Sequence, residues 1–157
     1  MSKALTILFA IVALSQTCCG QSIASFKERF VYFKSDEINL RIGPSKKYAI
    51  KWVIKSKYEP VLAIAQFEQW TKVRDIDGDE GWVMDSLISN EAQGSIIQST
   101  EGKMPVMYKR PDPSSKKIVR LQPRVRVKVR KCNDKGWCEV SINDFKGWVQ
   151  RKNLWGI

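Results

Sequence analysis

One ordered set of landmarks is written twice along the chain, and that repetition constrains the fold more than any other feature. The first pass runs Asn39-Leu40-Arg41-Ile42-Gly43-Pro44-Ser45, an apolar stretch over 50–54, another over 60–67, Trp70-Thr71-Lys72-Val73, then Gly81-Trp82-Val83 with Leu87. The second runs Met107-Tyr108-Lys109-Arg110-Pro111-Asp112-Pro113, 117–121, 123–131, Trp137-Cys138-Glu139-Val140, then Gly147-Trp148-Val149 with Leu154. The interval from Trp70 to Trp82 differs by one residue from that between Trp137 and Trp148. A polar segment over 89–94 joins the copies. The expected organisation is two small units, over 28–90 and 95–157.

Each copy reads as short strands with abrupt turns. Val125, Val127 and Val129 alternate with Arg124, Arg126, Lys128 and Arg130, so the valines share one face of a strand and the cations the other. Asp77-Gly78 is a hairpin signal, and Asn143-Asp144 occupies the same place in the second copy. Gly43-Pro44 and Pro111-Asp112-Pro113 mark turns that a helix could not cross. After Gly20 no stretch holds a helical period for three turns. The fold class expected is all-β, two small barrels in tandem, since closure removes exposed edges.

The first twenty residues have a different character. Lys3, an apolar run from Ala4 to Ser15 and a short stretch of small residues make the three-part layout of a secretory signal peptide, too short to span a bilayer. Cys18 and Gly20 fit the positions read before cleavage, which places the mature start at Gln21; a lipidated Cys18 or Cys19 is the alternative. The destination is then periplasmic or secreted, with no transmembrane segment in the mature chain. Only Cys132 and Cys138 remain, both in an oxidising compartment, bracketing the turn-like Asn133-Asp134-Lys135-Gly136-Trp137. Facing positions of a hairpin can meet disulfide geometry, so Cys132 and Cys138 are expected to pair. Zinc would need two further Cys or His ligands that the mature chain lacks, and no cofactor is implied.

These landmarks resemble the bacterial SH3-like, or SH3b, proteins exported in tandem form. The resemblance rests on Asn39-Leu40-Arg41-Ile42-Gly43-Pro44 and Gly81-Trp82-Val83 in the first copy. In the second it rests on Gly147-Trp148-Val149 and the closing Asn153-Leu154-Trp155-Gly156. It covers roughly 28–157 and weakens at Met107-Tyr108-Lys109-Arg110-Pro111, where the Leu-Arg-x-Gly-Pro form is replaced. It implies a cell-envelope context and, as ligand, peptidoglycan.

The chemistry points the same way. The chain has no histidine, which excludes Ser-His and Cys-His nucleophile pairs and imidazole-bound metals. Asp75-x-Asp77-x-Asp79-Glu80 resembles the start of a calcium loop, but Ser86 stands where that loop needs its twelfth-position Glu. A solvated hairpin tip is the reading, and neither a metal site nor an enzyme is expected. Trp70, Trp82, Trp137 and Trp148 sit at repeat-equivalent places and read as packing residues. Trp52 and Trp155 have no counterpart and are candidates for an inter-domain or ligand contact.

The formal charge of +11 is unevenly spread. Residues 22–90 carry 11 basic and 10 acidic side chains, whereas 91–157 carry 15 and 6, that is +1 against +9. Arg124, Arg126, Lys128 and Arg130, with Lys131 and Arg120 nearby, form a positive row fit for a polyanion. At the corresponding outward positions the first copy is expected to present Val61, Ala63 and Ala65, covered by the second copy or by residues 23–33. Nucleic acid would match the charge, yet export and the lack of interleaved aromatics argue against it. The partner expected is peptidoglycan or another anionic envelope polymer. A periplasmic protein bound by strand addition or in an SH3-like groove is the alternative.

Overall fold

The computed structural model describes residues 26–100 and 102–157; the expected leader over 1–20, with Cys18 and Cys19, lies outside the described residues. The first copy contributes β1 (Arg29–Phe33), β2 (Ile38–Arg41), β3 (Ile50–Ile54), β4 (Pro60–Phe67), β5 (Trp70–Arg74), β6 (Glu80–Met84) and β7 (Ile88–Ser89). The second contributes β8 (Gly94–Ile97), β9 (Val106–Tyr108), β10 (Lys117–Arg120), β11 (Arg126–Cys132), β12 (Trp137–Ile142), β13 (Phe145–Gln150) and β14 (Leu154–Trp155). The strand orders, β3-β2-β6-β5-β4-β1-β7 and β10-β9-β13-β12-β11-β8-β14, are one order used twice. The all-β tandem architecture is therefore as expected.

Register extends the match to single residues. Val61 faces Val31 as Val127 faces Ser95, and Ala63 faces Val73 as Val129 faces Val140. A bulge follows in both, at Ile64 and at Arg130. The apolar face of each sheet closes over its own core. Val31, Phe33, Leu40, Val61, Ala63, Val73 and Val83 belong to one, and Ile97, Met107, Val127, Val140, Val149 and Leu154 to the other. Trp70 and Trp137 are 9% and 7% exposed, as packing rings should be.

The hairpins form where their turn residues demand. Asp75 Oδ1 accepts the N–H groups of Asp77 and Asp79, both at 2.9 Å, so the acidic tip between β5 and β6 is held by its own turn. Asn133 Oδ1 does the same for Lys135 (3.1 Å) and Trp137 (3.0 Å) between β11 and β12. Directly beneath that turn Cys132 and Cys138 are register partners and form the expected disulfide.

Two expectations for the basic strand and its counterpart need correction. Val61 and Ala63 do not face outward: they are 2% and 0% exposed and lie in the first core. The outward residues opposite Arg126, Lys128 and Arg130 are Pro60, Leu62 and Ile64. In Pro60-Val61-Leu62-Ala63-Ile64-Ala65 every residue is apolar, so no alternation marks the faces, and a one-residue slip exchanges them. Arg124 does not share the strand either. It precedes β11, in a turn with φ 73°, at the position that Tyr58 holds with φ 61° in the first copy. Each donates its N–H to the strand that lies alongside, Tyr58 to Phe33 and Arg124 to Ile97.

Candidate binding surface

Sheet alternation turns Val127 into the second core and leaves Arg126 and Lys128 exposed on the other face of β11, with Arg130 exposed at the bulge. These cations differ in what they touch. Arg126 forks onto Glu59 of the first copy, with Nε to Oε2 at 2.8 Å and Nη2 to Oε1 at 3.0 Å. Arg124 pairs with Asp77 at the tip of the β5–β6 hairpin. Lys128 and Arg130 make no ion pair or side-chain hydrogen bond among the described residues. Past the bulge, the Lys131 ammonium lies 5.7 Å from the centre of the Trp148 ring.

The split arises because the two barrels meet beside this strand, where β8, β14 and Gly156 of the second lie against β1 and β4 of the first. Tyr32, 3% exposed, donates its hydroxyl to the carbonyl of Gly156 at 2.5 Å. Its burial pushes the phenol above its usual pKa, an effect that the charge of Arg151 partly opposes. The Phe30 and Trp155 rings meet edge to face, 5.0 Å apart. Gly156, at φ 99°, passes so close to Pro60 that a Cβ would stand 2.3 Å from the proline's own. Gly94 approaches the carbonyl of Tyr58 in the same way, at 2.4 Å from an added Cβ. The outward face of β4 is thus covered at Pro60 by the second copy.

The sequence candidates therefore divide into three groups. Arg124, Arg126 and Trp155 are engaged at the seam. Lys128 and Arg130 are open to solvent beside it. Trp52 is remote from both, on the edge strand β3, 46% exposed, with the Lys51 ammonium 6.0 Å from its ring centre. Beside the seam lies a cleft of about 490 Å³, lined from the first copy by Lys57, Tyr58 and Glu59 and from the second by Arg126, Lys128 and Ser141. Lys57 and Tyr58 were not singled out from the sequence. Their only signal there is a basic residue beside an aromatic one just ahead of β4, and their relation to β11 arises only once the barrels dock.

β3 is the other exposed feature. Ile50, Trp52 and Val53 are each 46% exposed on this outermost strand, with Ile42 and Tyr48 exposed nearby. Its counterpart β10 reads Lys117-Ile118-Val119-Arg120 and presents charge at both ends. Among the described residues no group of three or more Cys, Asp or Glu side chains is placed to hold a metal ion. No helix among them is long and apolar enough to cross a membrane.

Of the comparisons with known proteins, the family match bears on this architecture. The chain is 28% identical over 121 residues to a Bacillus subtilis (strain 168) protein named "Putative N-acetylmuramoyl-L-alanine amidase YrvJ". The match takes in 73% of the chain and spans 23% of that relative's length. Among solved structures, NlpC2 from Trichomonas vaginalis matches at 10% identity and a TM-score of 0.36, over 82% of this chain and 48% of the other. NlpC1 from the same organism matches at 11% identity and a TM-score of 0.35, over 96% and 50%. The family model described as "Bacterial SH3 domain" matches twice, at 34–90 and at 101–156, one match on each sheet. The chain belongs to the bacterial SH3 domain family and carries two such domains in tandem.

Proposed function

We propose that the protein is a non-catalytic cell-envelope binding module, acting in the periplasm or after secretion, that recognises peptidoglycan or another anionic envelope polymer through its second barrel. The observation that carries this reading is the outward face of β11. Two barrels share one fold, yet only the second places cations there, and Lys128 and Arg130 have no acidic partner among the described residues. Folding does not explain them, since Leu62 and Ile64 serve at the same positions in the first barrel. Family membership and the amidase-named relative support the envelope context.

The mechanism is electrostatic contact by Lys128 and Arg130 with carboxylates of the polymer, with Lys131 and the half-buried Trp148 beside them offering a cation and a ring face. Arg124 and Arg126 hold the surface in place rather than touch the ligand, and Trp155 fixes the seam. The protein should be retained by purified cell-wall sacculi at low salt and released as salt rises. Stronger retention by anionic vesicles or by nucleic acid at the same salt would overturn the ligand assignment.

A second reading, a protein-binding adaptor, is favoured by one observation: β3 is an outermost strand with three large apolar residues exposed. Such an edge suits strand addition by a partner, with Trp52 and Ile50 providing side-chain contact. Capture of a defined envelope protein that Trp52→Lys abolishes, without retention by sacculi, would select this reading.

A further inference from the structure

We infer that the two barrels together build one anion-binding trough, with part of one wall supplied by the first barrel, which takes a linear chain bearing successive carboxylate or phosphate groups. The inference rests on the envelope-binding reading for Lys128 and Arg130, and goes beyond it in assigning Lys57 and Tyr58 to the same site.

Three observations converge. The cleft beside the seam continues into a second depression of about 380 Å³, which shares Tyr58, Gln93, Lys128 and Ser141 with it and adds Arg130. The two depressions thus form one elongated trough along β11. Its charge is one-sided. Glu59 is the only acidic residue lining it, and both carboxylate oxygens of Glu59 are already taken by Arg126. Lys57, Lys128 and Arg130 are left without a carboxylate partner among the described residues. An anion entering the trough meets three cations and no free carboxylate, in a recess whose protein walls weaken solvent screening relative to a flat surface.

The trough is also held open by the fold. Tyr58 adopts φ 61°, an uncommon conformation for a bulky residue, and the Lys57 ammonium lies 5.0 Å from the centre of its ring. That places the cation of the first barrel on the wall facing β11. Its partners across the trough, Lys128 and Ser141, are register neighbours on β11 and β12. The Arg126–Glu59 fork ties the two walls together and fills neither Lys57 nor Lys128. Spaced cations with a hydroxyl beside them suit a chain carrying repeated anionic groups better than one compact ion.

Isothermal titration of the whole protein with short oligoglutamate and with short linear polyphosphate, at low and moderate salt, tests this directly. Binding of one or both is expected, and the stronger arm identifies the anion. Lys57→Ser and Lys128→Ser should each weaken that binding about tenfold. Lys117→Ser, on the distant β10, should leave it within about twofold. Both test lysines are exposed, and the thermal transition of each variant checks that it is folded. Absence of binding to either anion, or binding that Lys57→Ser leaves intact, would overturn the composite trough. Oligoanion binding that needs Lys57, without retention by sacculi, would uphold the trough and remove the envelope reading. Sacculi retention that needs Lys128 but not Lys57 would do the opposite.

Discussion

At one equivalent point the two barrels solve the same problem with different chemistry. Gln66 faces Thr71 in the first barrel where Cys132 faces Cys138 in the second. The first ties this end of its hairpin through Asp85, which accepts from the Thr71 hydroxyl at 2.6 Å and from the Gln66 amide at 3.2 Å. The second uses a covalent bond. With the disulfide present no carboxylate is required, and Arg151 stands where Asp85 does, at the start of the matching 3-10 helix. The same freedom appears between the following strands. Lys72 on β5 pairs with Glu80 on β6 at 2.6 Å, while Glu139 on β12 pairs with Lys146 on β13 at 3.2 Å, the signs reversed. The fold fixes where a tie is needed and leaves its chemical nature open. Charge that accumulates in one copy alone, as on β11, is therefore not demanded by folding.

The largest expected effect comes from separating the copies. Gly156→Val places a side chain against Pro60 at a backbone angle that valine avoids, and should cost more than about 3 kcal/mol. Calorimetry should then show two transitions in place of one. An unchanged single transition would mean that the barrels do not stabilise each other.

Next come the two hairpin ties. Cys132→Ser with Cys138→Ser should destabilise the second barrel by about 2 kcal/mol, the value for so short a closed loop. Thr71→Val should cost the first barrel about 1 kcal/mol through the loss of its hydrogen bond to Asp85. Denaturant titrations with and without reductant measure both. If reductant weakened both barrels equally, the disulfide would not be the local tie described here.

The smallest effect is one of pH. Hydrogen bonds from Lys72 and then Arg74 hold the Glu80 carboxyl below its ordinary pKa of 4.5. A lowered carboxylate stabilises the fold above the unfolded-state pKa, and this contribution is lost as pH falls through the folded-state value. Glu80→Gln should therefore lower stability slightly at neutral pH and flatten its decline below about pH 4.5. Stability curves of the two proteins that stay parallel through acid pH would contradict that role.

Much of this comparison was legible in the residues themselves. The repeated landmarks, the turn residues Asp77-Gly78 and Asn143-Asp144 and the bracketing cysteines are local signals, and each marks a feature that local geometry decides. The valines of β11 alternate with cations, so its inner face could be read directly. β4 is apolar on both faces, because one covers a core and the other, at Pro60, meets a neighbouring barrel, and period-two reading fails on such a strand. The partners of Arg124 and Arg126 are equally hidden. Asp77 and Glu59 lie 47 and 67 residues away in sequence and are brought together only by the docking of one barrel on the other. The same docking creates the trough, which is why Lys57 and Tyr58 carry no distinguishing mark in the chain.

The central claim is that the free cations of β11 serve binding and not folding. Lys128→Ser with Arg130→Ser, compared with the unchanged protein for both thermal stability and retention on purified sacculi across a salt series, tests it most directly. A melting temperature within a few degrees of the original is expected, with low-salt retention largely lost. Retention that survives the double substitution, or a collapse of stability in its place, would contradict it.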